Sequence, residues 1–298
     1  MNMRAEPKDK PGAIFHFACK VHGRSSGANA VRLAAYRAGE RLRSELTGRI
    51  HNFTRKREVI NRQILAPANA PAWALDRARL WNAIDNMETR KDAQLAREVE
   101  VALPLILGPN DNLELLRAWV GEIFVAAGMV ADIAYHAKRG NPHAHILLTL
   151  RDIGPDGFGK KNRSWNAPRL LETWRESWAG FVNTFLEKAG LDIRIDHRSY
   201  RRRGVDLTPT RHIGRANLFN QEKIETLSLE NRLIEIEREL QRQKIAEGNK
   251  QKASGIAPLN SGLATAVDRP MRQRRARRQR APGNAVPTPT PSFPYPKF

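Results

Sequence analysis

One cysteine, Cys19, stands in 298 residues. That excludes an intramolecular disulfide framework and any zinc or iron–sulfur site built on several cysteines. No apolar run approaches the roughly 20 residues needed to span a bilayer. The N-terminal MNMRAEPKDKPGAIFHF carries charges but no apolar core of signal-peptide length. A reducing cytoplasm is therefore the expected compartment. Acidic residues are in deficit, 31 Asp+Glu against 51 Lys+Arg, a net charge of +20. Such a surplus says little about fold and much about partners: nucleic acid first, an anionic membrane surface second. With 41% hydrophobic residues the chain still has enough apolar side chains for a core.

The surplus is uneven. Residues 249–298 hold ten Lys/Arg against one acid, Asp268, so +9 of the total lies there, with eight of the eighteen prolines. This segment reads as a disordered basic tail, because it has too little apolar surface to offset ordering. Before it, 220–247 reads as a helix in which Leu229, Leu233, Ile236 and Leu240 recur at spacings of 4, 3 and 4. A coiled-coil seam and a helix docked on its own domain both fit that pattern. Residues 1–215 read as a globular domain, 216–248 as a helical extension and 249–298 as the tail.

Within the globular part, alternation predicts strands at 13–21, 97–103, 129–136 and 143–150, and a short one at 193–196. Helices are expected at 30–43, 70–89, 111–128 and 167–189, the third capped by Asn110 or Asp111. The strands at 129–136 and 143–150 form a hairpin about Lys-Arg-Gly-Asn. The class is α/β or α+β with an antiparallel element.

Chemistry concentrates in Tyr135-His136-Ala137-Lys138-Arg139-Gly140-Asn141-Pro142-His143-Ala144-His145. His143 and His145 share a strand face. If residues 138–141 close the hairpin, His136 sits opposite His143, with Cβ atoms about 5 Å apart. Three imidazoles then converge, a donor set for a divalent metal with room for a substrate oxygen. A structural metal would need a fourth ligand, and no cysteine is near. Glu98 and Glu100 share one strand face and Val99, Val101 and Leu103 the other. Beside the histidines a carboxylate can orient an imidazole or accept a proton, and the roles of the two glutamates stay open. Tyr36 is the best-placed nucleophile among four tyrosines, although a helical tyrosine is more often core. Arg24, Arg32, Arg37 and Arg41 near Tyr36, and Arg198, Arg201, Arg202 and Arg203 after His197, suit phosphate binding.

Four stretches carry a resemblance: IFHFACKVHGRSSGANAVRLAAYRAGERL, RKDAQLAREVEVALP, MVADIAYHAKRGNPHAHILLT and WRESWAGFVNTFLEKAGLDIRIDHRSYRRRGVDLTPTRHIG. In this order, from Gly12 to Gly214, the chain resembles the MobA/MobL (MobQ-type) plasmid mobilisation relaxases. It is also similar to the N-terminal relaxase domain of TraA conjugal-transfer proteins. The family belongs to the HUH endonucleases, whose two histidines flank a hydrophobic residue, here Ala144. The resemblance implies a central five-stranded antiparallel sheet flanked by helices. It also implies metal-dependent, strand-specific nicking at an origin of transfer, with Tyr36 as nucleophile, His136, His143 and His145 as metal ligands and Glu98 and Glu100 as the acidic pair. The products would be a 5′-phosphotyrosine bond and a free 3′-OH, and religation would end transfer.

His197 and His212 fall in supporting blocks of the family pattern and are carried over as DNA-binding residues. The implied cofactor is Mn²⁺ or Mg²⁺, with Zn²⁺ possible. The implied partners are single-stranded origin DNA, accessory relaxosome proteins and a type IV secretion coupling protein, in a bacterial cell with the chain plasmid-encoded. No Gly-x-x-x-x-Gly-Lys-Ser/Thr loop is present, so a helicase step is expected from another protein. The competing readings are a metal-dependent nuclease that uses water and a non-catalytic basic DNA-binding protein.

Overall fold

Strands buried on both faces need cover on both sides, and the chain supplies it with helices. The computed structural model describes residues 12–205, 208, 211 and 220–253. It divides into two units, Met1–Asp206 and Leu207–Phe298. In the first, β1 (Phe17–Gly23), β4 (Val59–Leu65), β5 (Gln94–Ala102), β6 (Ala131–Lys138) and β7 (Asn141–Leu148) make a five-stranded sheet. Its order is β1-β5-β7-β6-β4, antiparallel throughout. The expected five-stranded antiparallel sheet is thus present. Two small ribbons accompany it: β2 (Arg41–Arg43) with β3 (Ile50–Asn52), and β8 (Arg151–Gly154) with β9 (Gly157–Lys161).

Helices α1 (Ala30–Ala38) and α2 (Arg77–Met87) cover one face of the sheet; α3 (Pro109–Val120) and α4 (Pro168–Lys188) cover the other. On the α3/α4 side Trp119, Phe124, Trp174 and Trp178 pack edge-on or tilted, ring centroids 4.7–5.2 Å apart, over Val99, Val101, Ile133 and Ile146. On the α1/α2 side Leu80, Trp81 and Ile84 meet Ala30, Val31, Ala34, Ala35 and Leu147. The small side chains along α1 let that helix lie close to its neighbours, which brings its C-terminal end to the sheet.

Several elements differ from expectation. The helix expected over 30–43 ends at Ala38, because Gly39 takes a left-handed φ of 62° and caps it; Arg41 therefore lies on β2. The 70–89 helix breaks at Asp76, whose side chain caps α2 by accepting from Arg79 N at 2.9 Å. Helix α3 starts on Pro109 after Gly108 rather than on an Asn or Asp cap, and ends in a wide turn over Gly121–Val125. Residues 193–196 form no strand: the backbone of Ile195 is held by the Asn183 side chain at 2.8 and 2.9 Å instead of a ladder. Strand β4 was not anticipated; as an edge strand carrying Asn61, Arg62 and Gln63 it lacks a strong apolar alternation.

The second unit contains α5 (Gln221–Ala253), which extends past the expected boundary at 248. Most of the basic tail, residues 254–298, and His212 lie outside the described residues. Among the described residues no helix is long and apolar enough to cross a membrane.

The start of α1 hangs on one buried carboxylate. Asp85 accepts from Asn29 Nδ2 at 2.6 Å and Ala30 N at 3.1 Å, and pairs with Arg24 at 3.4 Å. It thus satisfies helix N-terminal donors that water cannot reach. Asp85→Ala should lower unfolding free energy by about 3 kcal/mol, read from urea denaturation, because it leaves the Asn29 amide and the Ala30 N–H without their buried acceptor.

Candidate functional site

The β6–β7 hairpin turns on Arg139 and Gly140, with Gly140 at φ 69°. Its register places His136 opposite His143 and Ala137 opposite Pro142. His145 lies two residues on, on the same face. The three imidazole centroids are 4.8–5.2 Å apart, and one nitrogen from each lies within 4.8 Å of the other two.

Each ring has its other nitrogen committed to an oxygen. His145 donates Nδ1–H to Glu98 Oε1 at 2.7 Å, and His143 donates Nδ1–H to the Asn141 carbonyl at 2.8 Å. His136 donates Nε2–H to the Arg37 carbonyl at 2.7 Å. Those acceptors fix the tautomers, so Nε2 of His143, Nε2 of His145 and Nδ1 of His136 keep free lone pairs. Burial holds His136 down at about 4, helped by the nearby His145 and Lys56 charges against its Arg37 bond. Burial likewise lowers His143. Both rings are therefore neutral near pH 7, the form that ligates metal. Three imidazoles with oriented second nitrogens fit a divalent cation; Mn²⁺ and Zn²⁺ suit nitrogen donors better than Mg²⁺ does.

Glu98 anchors the site. It is 6% exposed and receives four bonds: His145 Nδ1, His22 Nε2 at 2.6 Å, and a bidentate fork from Arg37 at 2.5 and 2.7 Å. Burial alone would raise its pKa, but these donors hold the carboxyl well below the usual carboxylate range. Glu100, opposite His145 in the ladder, is more exposed and stands 3.8 Å from His145 Nδ1. Geometry therefore separates the two glutamates: Glu98 is the buried acceptor of this network, and Glu100 stands at its rim.

Tyr36 lies in the last turn of α1, 40% exposed. Its ring packs edge-on against Phe53 at 5.1 Å and lies beneath Lys56 Nζ, 3.9 Å from the centroid. Three carbonyls at the end of α1 receive side chains. Lys56 Nζ donates to Tyr36 O at 3.0 Å, His136 to Arg37 O, and Arg62 Nη1 to Ala38 O at 3.0 Å. A candidate metal ligand thus bonds the residue next to the candidate nucleophile.

His22, Lys56 and Arg62 were not anticipated. His22 shares a face with Lys20, which pairs with Glu98 across β1–β5, so only the strand register reveals it. Lys56 and Arg62 arrive from a turn and an edge strand distant in sequence from Tyr36. Of the arginines expected to meet phosphate, Arg24 is spent on the Glu88 and Asp85 carbonyls and Arg37 on Glu98. Arg198 and Arg203 pair with Asp196, and Arg202 with Glu172; His197 lies between those two acids at 3.4 and 3.8 Å. That cluster is separate from the three histidines in its bonding. Arg32, Arg41 and Arg201 are exposed, as are Arg43, Arg49, Arg55 and Arg57 on and after the β2–β3 ribbon. Among the described residues none of these seven has a carboxylate within ion-pair distance.

The histidine triad thus stands on a five-stranded antiparallel sheet, with Ala144 between two of its histidines. Residues 28–223 match the model of the MobA/MobL family, and the chain belongs to that family. A probable conjugal transfer protein TraA from Sinorhizobium fredii is 36% identical over 79% of this chain and 24% of its own length. Mobilization protein MobL of Acidithiobacillus ferridurans is 34% identical over 68% of this chain and 62% of its own. A solved structure described as the molecular basis of vancomycin resistance transfer in Staphylococcus aureus aligns with a TM-score of 0.60 at 31% identity. It covers 63% of this chain and all of that one. The chain thus spans about a quarter of the TraA protein it matches.

Glu98→Gln should weaken Mn²⁺ binding by about 10–100-fold in calorimetric titration, because His145 loses its anionic acceptor. It should also destabilise the fold by about 3 kcal/mol at pH 7, leaving Arg37 without its carboxylate. The folded-state pKa of Glu98 is depressed. Its contribution is therefore complete above the unfolded value of about 4.3 and fades as pH falls below it. Urea midpoints at pH 7 and pH 3 should accordingly lie closer together in Glu98→Gln than in the parent.

Proposed function

We propose that this chain is a mobilisation relaxase: it nicks one strand of DNA at an origin of transfer and keeps the 5′ end as a phosphotyrosine. The observation that carries this reading is the bonding of His136 to the last turn of α1, which ties the three-histidine cluster to the helix bearing Tyr36. Residues 1–215 would form the catalytic domain, 216–248 a helical extension and 249–298 a basic tail that adds sequence-independent affinity.

In this reading His136, His143 and His145 hold a divalent cation, Mn²⁺ or Mg²⁺ with Zn²⁺ as a third choice. A bound cation would polarise the scissile phosphate and offset charge as it develops. Tyr36 Oη attacks phosphorus in line, the P–O3′ bond breaks, and the phenolic proton is lost as the 3′ oxygen gains one. Lys56 places a basic group over the Tyr36 ring, 3.9 Å from its centroid. Glu98 orients His145 and holds Arg37, and Glu100 is placed to accept or return a proton at the rim. Because the phosphotyrosine conserves the phosphodiester's energy, a 3′-OH can reverse the step and reseal the strand without ATP.

DNA phosphates would run along Arg32, Arg41, Arg43, Arg49, Arg55, Arg57 and Arg201, which among the described residues have no carboxylate within ion-pair distance. Arg24 and Arg37 would support the fold and the site instead. Arg198, Arg202, Arg203 and His197 would contact DNA only by exchanging their present acidic partners. His212 is retained as a DNA contact on the resemblance alone. The scissile strand would enter single-stranded. Accessory relaxosome proteins and a secretion coupling protein would complete the assembly in the bacterial cytoplasm.

Incubated with Mn²⁺ and a 3′-end-labelled origin oligonucleotide of the cognate plasmid, the parent protein should give a labelled band of protein mass on a denaturing gel. Tyr36→Phe should lose that band while still shifting the oligonucleotide on a native gel. Cleavage without adduct by the parent would instead establish the water-using nuclease. A shift with neither cleavage nor adduct would establish the binding protein.

A further inference from the structure

Helix α5 begins on a sound cap: Asn220 Oδ1 accepts from Lys223 N at 3.0 Å. One side is engaged by its own unit. Asn231 exchanges two bonds with the Arg211 backbone at 2.7 and 2.9 Å, Arg238 Nε donates to the Thr208 carbonyl at 2.9 Å, and Ile224, Leu227 and Ile234 on that side are half-buried. A different stripe is bare. Leu229, Leu233, Ile236 and Leu240 are 52–62% exposed, each of the four by more than half. Four large aliphatic side chains in one line on a helix are an association surface rather than scattered exposure.

Their 4, 3, 4 spacing sets a heptad frame: Leu229 and Ile236 at d, Leu233 and Leu240 at a. In that frame every flanking e and g position from 225 to 244 is charged: Glu225, Glu230, Arg232, Glu237, Glu239 and Lys244. These charges choose between orientations. In a parallel pair, g meets the next e′, so Arg232 faces Glu237 and Glu239 faces Lys244, both attractive and both occurring twice. The one repulsive pairing, Glu225 with Glu230, falls at the end of the apolar stripe, and Glu230 is already held by Arg211 at 3.1 Å. In an antiparallel pair with the same four layers, Arg232 faces Glu239 but Glu230 faces Glu237 in the middle of the seam. The parallel arrangement is the self-complementary one.

We propose that α5 pairs in parallel with α5 of a second copy of this chain, through the Leu229–Leu233–Ile236–Leu240 seam. The proposal is independent of the nicking chemistry. Two heptads are short for an isolated coiled coil, which must first order its helices. Here the helix is already fixed along its other side by Arg211 and Thr208, so association does not carry that cost. Leucine at a with isoleucine at d also suits larger bundles, but a third or fourth helix would bury the charged e and g positions, which restricts the seam to two.

Sedimentation equilibrium of the nucleic-acid-free full chain should show a concentration-dependent rise from one 33.7 kDa chain to two. Leu233→Glu/Ile236→Glu should remove the rise with unchanged far-ultraviolet helix content. Arg232→Glu alone should weaken the dimer roughly tenfold, and Arg232→Glu/Glu237→Arg should restore it, which a merely misfolded variant could not do. Gln243→Cys, one d position beyond Leu240, should cross-link to its own counterpart on oxidation in a parallel pair. A parent that stays monomeric into the high-micromolar range, that assembles to four copies, or whose Gln243→Cys variant dimerises without cross-linking would overturn the proposal.

Discussion

Everything at the candidate site rests on one buried carboxylate. Glu98 is surrounded by donors from three elements: Arg37 on α1, His22 on β1 and His145 on β7. A lone carboxylate at 6% exposure would be strongly disfavoured, so the fold is committed to delivering those donors. Delivering them brings the end of α1 onto the sheet and aims one histidine by its Nδ1–H. The same charge that stabilises the packing therefore orients one ring of the histidine cluster.

The end of α1 is the second half of the design. A helix C-terminus leaves carbonyls without intrahelical donors. Here Lys56, His136 and Arg62 take three successive ones, and two of the three are cationic, matching the negative end of the helix dipole. The cap locks the last turn, where Tyr36 sits, to β6 and to the turn that carries Lys56. Gly39 allows the chain to leave at once in a left-handed turn, and a Cβ there would press on Val59 at 3.2 Å. The phenol thus lies beside a basic group, and the end of its helix is tied to one histidine of the cluster.

Much of this was legible in the chain. The hairpin register followed from one glycine and a two-residue period, and it placed His136 opposite His143 before any packing was known. The shared face of Glu98 and Glu100 followed in the same way. Strand β4 was not legible, because a polar edge strand has no alternation strong enough to stand out. Arg24 and Arg37 looked like phosphate ligands because charge on a sequence carries no information about its partner. Only folding shows that Asp85 and Glu98 have already claimed them.

The sequence by itself determined the hairpin, the three histidines on one face, the family and the basic character of the surface. These depend on local periodicity and composition, which a single chain displays directly. The tertiary structure alone decided which glutamate is the buried anchor, which arginines have no carboxylate partner among the described residues, and that Lys56 lies over Tyr36. Those depend on contacts between residues far apart in sequence, set by strand order and helix packing rather than by spacing along the chain. It also decided that Leu229, Leu233, Ile236 and Leu240 stay uncovered on α5, a question the 4, 3, 4 spacing posed and could not answer.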